Sequence, residues 1–293
     1  MHIFGSGSKV LNMKKLIHSF ILILFLNFFL NSCFASFLDL DSETVRSTFK
    51  VQSGAVVGTA FILLQPNTND LSQGFPVLIT AAHVFSEMPS SNATIFLRVK
   101  EGDGYKKRPF DFPIRANGTN LWTRHPKADV AVMRINLPSD ADIQQVFPST
   151  LMLADDKFLT DRKIHPGDEV RILGYPYGFE ANDAGFPVLR SGRIASFPLT
   201  PTSKVQTFLL DFQVFRGNSG GPVYILERRA LNDGDLTTVN VYQILGLVSE
   251  EATLNEPVST LDENSVIRHQ LGLGVVVQAQ AIKEAIDLLP PPN

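Results

Sequence analysis

The chain has 293 residues, enough for one large or two small domains, and 44% of them are apolar, enough for packed cores, which excludes global disorder. A formal charge of −3 is spread along the chain without a basic block, so nothing argues for nucleic acid as a partner. The single cysteine, Cys33, excludes an intramolecular disulfide.

Residues 1–35 read as a secretory signal. Lys14 and Lys15 precede an apolar run over 20–30, and small residues follow. The run is too short and too poorly flanked for a membrane span. Met13-Lys14-Lys15 would itself make a normal signal start, so residues 1–12 read as an upstream extension. Two outcomes stay open. Cleavage after Ala35, with Cys33 and Ala35 as the small residues, gives a soluble periplasmic or secreted product. Lipidation of Cys33 gives a lipoprotein, and only then membrane contact; Asn31 departs from the small or apolar residue usual in such a site. Both outcomes imply export.

From residue 36 onward, short apolar runs alternate with turn residues. The run 56–64 leads into Pro66-Asn67-Thr68-Asn69-Asp70, and the run 77–80 ends in Ala81-Ala82-His83. Ile95, Leu97 and Val99 alternate with Thr94, Phe96, Arg98 and Lys100, the period of a half-buried strand, and Gly102-Asp103-Gly104 follows as a turn. Asp129 stands at the mouth of the run 130–135. From Leu137 to Arg162 the rhythm breaks, as a linker would break it. Strand-like runs resume at 170–173, 187–189, 208–214, 222–226, 239–248 and 271–278, with a turn at Asn232-Asp233-Gly234-Asp235. Ile282, Ile286 and Leu289 form a helical stripe that Pro290-Pro291-Pro292 stops, and it is expected to pack against the body of the protein. His125, His165 and His269 read as ordinary hydrogen-bonding or surface histidines, and Asp111 and Asp168 as turn residues. This many short strands predict an all-β sandwich or barrels.

Three stations carry chemistry. Gly217-Asn218-Ser219-Gly220-Gly221-Pro222 sets a serine between glycines and between two strand-like runs. Glycine permits backbone conformations that a Cβ forbids. It also lets a substrate carbonyl approach the N–H groups of Gly217 and Ser219, an oxyanion hole in which each donor is worth roughly a hundred- to a thousand-fold in rate. A serine hydroxyl needs a base to become a nucleophile. His83 would accept its proton and Asp129 would orient the imidazole.

In these three segments, ordered His, Asp, Ser, the chain resembles the trypsin-like (chymotrypsin-fold) serine proteases over about residues 51–288. The likeness is to the bacterial, disulfide-free branch that includes the glutamyl endopeptidases and the protease domain of the high-temperature-requirement proteases. It implies two six-stranded antiparallel β-barrels with a C-terminal helix: a first barrel at 36–140, a linker at 141–162, and a second barrel with the helix at 163–293. His83 and Asp129 would lie on the first barrel and Ser219 on the second, facing a cleft between them. The implied activity is that of an exported serine endopeptidase acting on peptide or protein substrates through an acyl-enzyme, with no cofactor and no metal. The resemblance further puts Gln213 at the base of the specificity pocket, Ser249 and Glu250 on a wall strand where substrate would pair, and Gly274 on the opposite wall. Ser249 would also support Asp129. Family zymogens use an aspartate just before the nucleophile to pair with a newly freed N-terminus. Asn218 stands there and cannot form that ion pair, which implies competence without internal cleavage. Two other readings fit parts of the pattern: a protease-fold binding protein without turnover, and an ester hydrolase. The Gly-x-Ser-x-Gly turn of the α/β-hydrolases matches residues 217–221, but their histidine comes last in the chain.

Overall fold

The computed structural model describes residues 40–67, 70–142, 148–230, 238–259 and 264–291. The signal segment with Cys33 and Ala35, and the turn at 232–235, lie outside these residues.

After a short helix α1 (Leu40–Arg46), alternation becomes strands: β1 (Thr48–Ser53), β2 (Val56–Asn67) and β3 (Asp70–Thr80). Helix α2 (Ala82–Glu87) follows, then β4 (Asn92–Glu101), β5 (Gly104–Pro113), the short β6 (Arg115–Ala116), β7 (Thr119–Asn120) and β8 (Thr123–Arg124), and β9 (Ala131–Arg134). Seven of them form one antiparallel, barrel-like sheet in the order β5-β4-β1-β2-β3-β9-β8. Phe49, Val51, Ile62, Leu78, Ile95 and Leu97 share one face of this sheet and Phe61, Leu63, Val77 and Ile79 the other, and all of them are buried. β6 and β7 pair only with each other.

Between β9 and β10 the chain makes a 3-10 turn (Thr150–Met152) and helix α3 (Asp156–Asp161), capped by the Asp155 side chain. The second half comprises β10 (Glu169–Gly174), β11 (Val188–Ile194), β12 (Thr207–Asp211), β13 (Pro222–Ala230), β14 (Thr238–Ser259) and β15 (Asn264–Gln278). They close into a six-stranded barrel in the order β10-β11-β12-β15-β14-β13. Helix α4 (Ala279–Asp287) buries Ile282, Ala285 and Ile286 and packs against β14 and β9, so the apolar stripe at its end is a docking face within the protein. Leu289 lies beyond the last helical residue.

The architecture is all-β, a closed barrel and a barrel-like sheet with a C-terminal helix, as the resemblance implied. It differs in detail. Asp111 is not a turn residue: it lies in β5, opposite Thr94, and accepts a hydrogen bond from the Thr94 hydroxyl at 2.5 Å. β5 is an outer strand whose side chains are mostly exposed or half-buried, so it lacks the apolar alternation of a half-buried strand. β14 and β15 also run on well past Val248 and begin well before Leu271, where Glu250, Glu251, Asn255, Glu256 and Arg268 are polar and period-two apolar patterning gives no signal.

Candidate active site

His83 is the second residue of α2, directly after β3, and Asp129 lies in the loop that enters β9. β3 and β9 are adjacent, with Thr80 opposite Ala131, and this pairing brings the two side chains together. His83 Nδ1 lies 2.7 Å from Asp129 Oδ2, and the His83 backbone N–H donates to Asp129 Oδ1 at 2.9 Å. Both carboxylate oxygens are thus held. Oδ2 accepts a further hydrogen bond from the Ser249 hydroxyl at 2.7 Å. Ser249 comes from β14, so this bond ties the second barrel to the Asp129 loop.

The loop carrying the serine is fixed by close approach. Gly217 has φ +92°, and a Cβ there would lie 2.2 Å from the Tyr175 carbonyl oxygen. Gly220 has φ +87°, and its Cβ would lie 2.0 Å from the Thr59 carbonyl oxygen. Thr59, on β2, stitches this loop to the first sheet: its N–H donates to Ser219 O at 2.9 Å and its hydroxyl to Gly217 O at 2.6 Å. Gly220 N–H donates to Val248 O at 2.7 Å. Asn218 is buried, and its side-chain oxygen accepts from Phe215 N–H at 2.9 Å, so it braces its own loop. Among the described residues the N–H groups of Gly217 and Ser219 have no hydrogen-bond acceptor, as an oxyanion hole requires.

Ser219, His83 and Asp129 line one cleft of about 730 Å³, together with Gln213, Ser249 and Glu250. No hydrogen bond joins Ser219 to His83 among the described residues; such contacts are often long before substrate binds. Gln213 is exposed on the cleft wall. Gly274 does not line the cleft. It is buried behind it, where a Cβ would meet the Val214 side chain at 3.0 Å.

Sequence reasoning missed Thr59. The only hint was a threonine among small residues, Gly58-Thr59-Ala60, in an otherwise apolar run. His125 does more than an ordinary buried histidine. Its Nδ1 accepts from Ala128 N–H at 2.8 Å while Nε2 contacts Glu284 of α4 at 2.9 Å, so the helix braces the loop bearing Asp129. His165 and Asp168 form a local turn before β10, and His269 pairs with Glu256 at the surface. Among the described residues no cluster of His, Cys, Asp and Glu could hold a metal ion.

The family model described as "Trypsin-like peptidase domain" matches residues 58–230, more than half of the chain. The chain belongs to the trypsin-like peptidases. Its structure also overlaps two crystal structures. One is Rv3671c from M. tuberculosis H37Rv, an inactive form of a serine-to-alanine mutant, with 20% identity and a TM-score of 0.42 over 86% of this chain and 92% of that one. The other is the scabies mite inactivated protease paralogue S-I1, with 13% identity and a TM-score of 0.47 over 84% and 94%. No curated protein matches the chain.

Electrostatics in the peptidase cleft suit a histidine that cycles its proton. Burial alone would push the His83 pKa down, but the hydrogen bond and charge of Asp129, joined by the charges of Glu87 and Glu250, outweigh it and raise the pKa above 6.5. Burial would lift Asp129, yet hydrogen bonds from His83 and Ser249 and the His83 charge hold it down at about 2. Asp129 therefore stays ionised across the working range. A base must be neutral, so kcat/KM is expected to rise with pH through a midpoint above 6.5. Removing one of the raising charges by Glu250→Gln should move that midpoint to lower pH. A pH–rate profile whose midpoint ignores this substitution would contradict the assignment.

Proposed function

We propose that this peptidase is an exported serine endopeptidase that cleaves peptide bonds through Ser219, His83 and Asp129. The observation that carries the reading is the Asp129 carboxylate: it holds His83 Nδ1 on one oxygen in the cleft that Ser219 lines. With Nδ1–H donated to Asp129, His83 Nε2 is left as the base. Ser219 Oγ attacks the scissile carbonyl while His83 takes its proton, and the developing oxyanion is met by the N–H groups of Gly217 and Ser219. The protonated His83 returns the proton to the leaving amine, which departs and leaves an acyl-enzyme. Water then repeats the sequence with the acyl group as the target, releasing the acid and restoring Ser219.

Export rests on the signal pattern of residues 1–35. Competence without internal cleavage is supported by Asn218, whose side chain already bonds within its own loop and needs no ammonium partner. One experiment tests both points of chemistry. Residues 36–293 behind an N-terminal tag that only an added site-specific protease removes are treated with a serine-reactive organophosphonate, before and after that removal, and mapped by mass spectrometry. The expected result is a single adduct on Ser219 with peptide hydrolysis lost in proportion. Labelling only after the tag is trimmed would refute preformed competence. A tagged and trimmed chain that neither labels nor hydrolyses would favour a binding protein without turnover.

A further inference from the structure

The pairing of β14 with β13 ends where Leu247 faces Pro222, and Val248 then bonds to Gly220 and Gly221. From Ser249 to Ser259 that edge of β14 pairs with no strand among the described residues, while its other edge follows β15 out to Ser259 opposite Asn264. Register shifts between Val248 and Glu250, and between Glu251 and Thr253, mark bulges that bend this ribbon. Beyond them it is an arm two strands thick. Leu254 is 57% exposed, Val266 64% and Ile267 48%. Leu254 stands opposite His269, and Glu256 opposite Ile267, which puts these four residues on one face around the Glu256–His269 contact. A two-stranded ribbon is marginal in water unless something packs on it, and an open edge is a template for another strand.

Continuity with the cleft says what covers the arm. Glu250, Glu251 and Gln270 line the catalytic cleft and also a concavity of about 560 Å³ at the base of the arm, walled further by Thr253, Arg268 and His269. At this junction Glu251 Oε1 is buried and has no hydrogen-bond partner among the described residues. A buried carboxylate oxygen without a donor is costly, and a donor carried by a chain lying along this edge removes that cost. The open edge spans eleven positions, roughly 35 Å at about 3.3 Å per residue.

We propose that the β14–β15 arm is a docking exosite for unfolded polypeptide. On one side of the scissile bond, substrate leaves the cleft along the open edge of β14 and adds a strand to the arm. It sets apolar side chains against Leu254 and Ile267 and gives Glu251 an N–H or ammonium donor. The inference rests on the peptidase reading and deepens it: the substrates are extended or unfolded proteins with roughly ten residues or more beside the cut.

Binding can be separated from turnover in the Ser219→Ala protein. Fluorescence anisotropy is measured with labelled, carboxymethylated casein as the unfolded chain and with a labelled hexapeptide cut from it. In that background, Leu254→Ser with Ile267→Ser should weaken casein binding at least about tenfold. Replacing residues 255–268 by an Asn-Gly turn should do the same, which guards against a misfolded double variant. In the active protein, the ratio of kcat/KM for casein to kcat/KM for the hexapeptide should fall by a similar factor. Absence of casein binding by the parent, or equal binding by parent and both arm variants, overturns the proposal. So does an equal fall on both substrates, which would mean that the arm supports the cleft instead of holding substrate. A wild-type dimer in sedimentation that the arm variants split would show a second copy as the occupant and would also overturn it. Should the wild type hydrolyse neither substrate, the peptidase reading fails, while the anisotropy still judges the arm.

Discussion

Ser219→Ala is expected to lower peptide hydrolysis about a million-fold, the loss seen when a triad nucleophile is removed and only binding and oxyanion stabilisation remain. The fold should survive. Ser219 is half-buried at the cleft, and the bonds that hold its loop run through the backbone, from Thr59 N–H to Ser219 O and from Gly220 N–H to Val248 O. Circular dichroism and the urea midpoint of the variant should match those of the parent. Initial rates on a peptide substrate, measured with enough enzyme to detect so large a loss, decide the point. A folded Ser219→Ala protein with a large fraction of parental activity would remove Ser219 from the mechanism.

The largest expected loss of stability from one methyl group is at Gly220. An alanine Cβ there would stand 2.0 Å from Thr59 O and 2.3 Å from Thr80 Oγ1, where the Thr80 hydroxyl already donates to Thr59 O at 2.7 Å. Two backbones and a buried hydroxyl must move, and φ +87° adds strain for any residue with a side chain. Overpacking and a left-handed backbone together give at least about 3 kcal/mol. Hydrolysis should fall as well, since the displaced loop carries Ser219. Gly118→Ala is the control. It has φ +76° with open space around the Cβ position, so only the backbone strain of about 1–2 kcal/mol applies. Urea unfolding of both variants tests the difference. Equal midpoints would mean that the contact between the Gly220 loop and β2 does not constrain the site.

Much of the site was legible because its chemistry lies in local motifs. Ala81-Ala82-His83, Asp129 before an apolar run, and the glycine-flanked Ser219 each occupy a few consecutive residues, and their order along the chain carried the resemblance. Strands facing the core were legible for a related reason: burial on one face imposes period-two alternation, as in Ala93, Ile95 and Leu97; it breaks at Arg98, which is buried beside a half-buried Val99. Where neither face is buried the signal vanishes. β5 and the outer parts of β14 and β15 are held by ladder hydrogen bonds between polar segments, and no composition rule marks them. Asp111 lies in such a strand, which is why its surroundings in the sequence resemble a turn.

By itself, then, the sequence determined the all-β class, the helical stripe of α4, and the residue types and order of the candidate triad, because each depends on neighbours within a turn or two. The tertiary structure decided everything that depends on approach between distant segments. It set the 2.7 Å contact of His83 with Asp129, the bridge from Ser249, and the bond from Thr59 that seats the Ser219 loop on the first sheet. It also placed Gly274 behind the cleft wall and left one edge of β14 open from Ser249 onward. Such contacts span from 46 to 160 residues of chain, a separation across which local propensity carries no information and only the closing of the sheets brings the partners together.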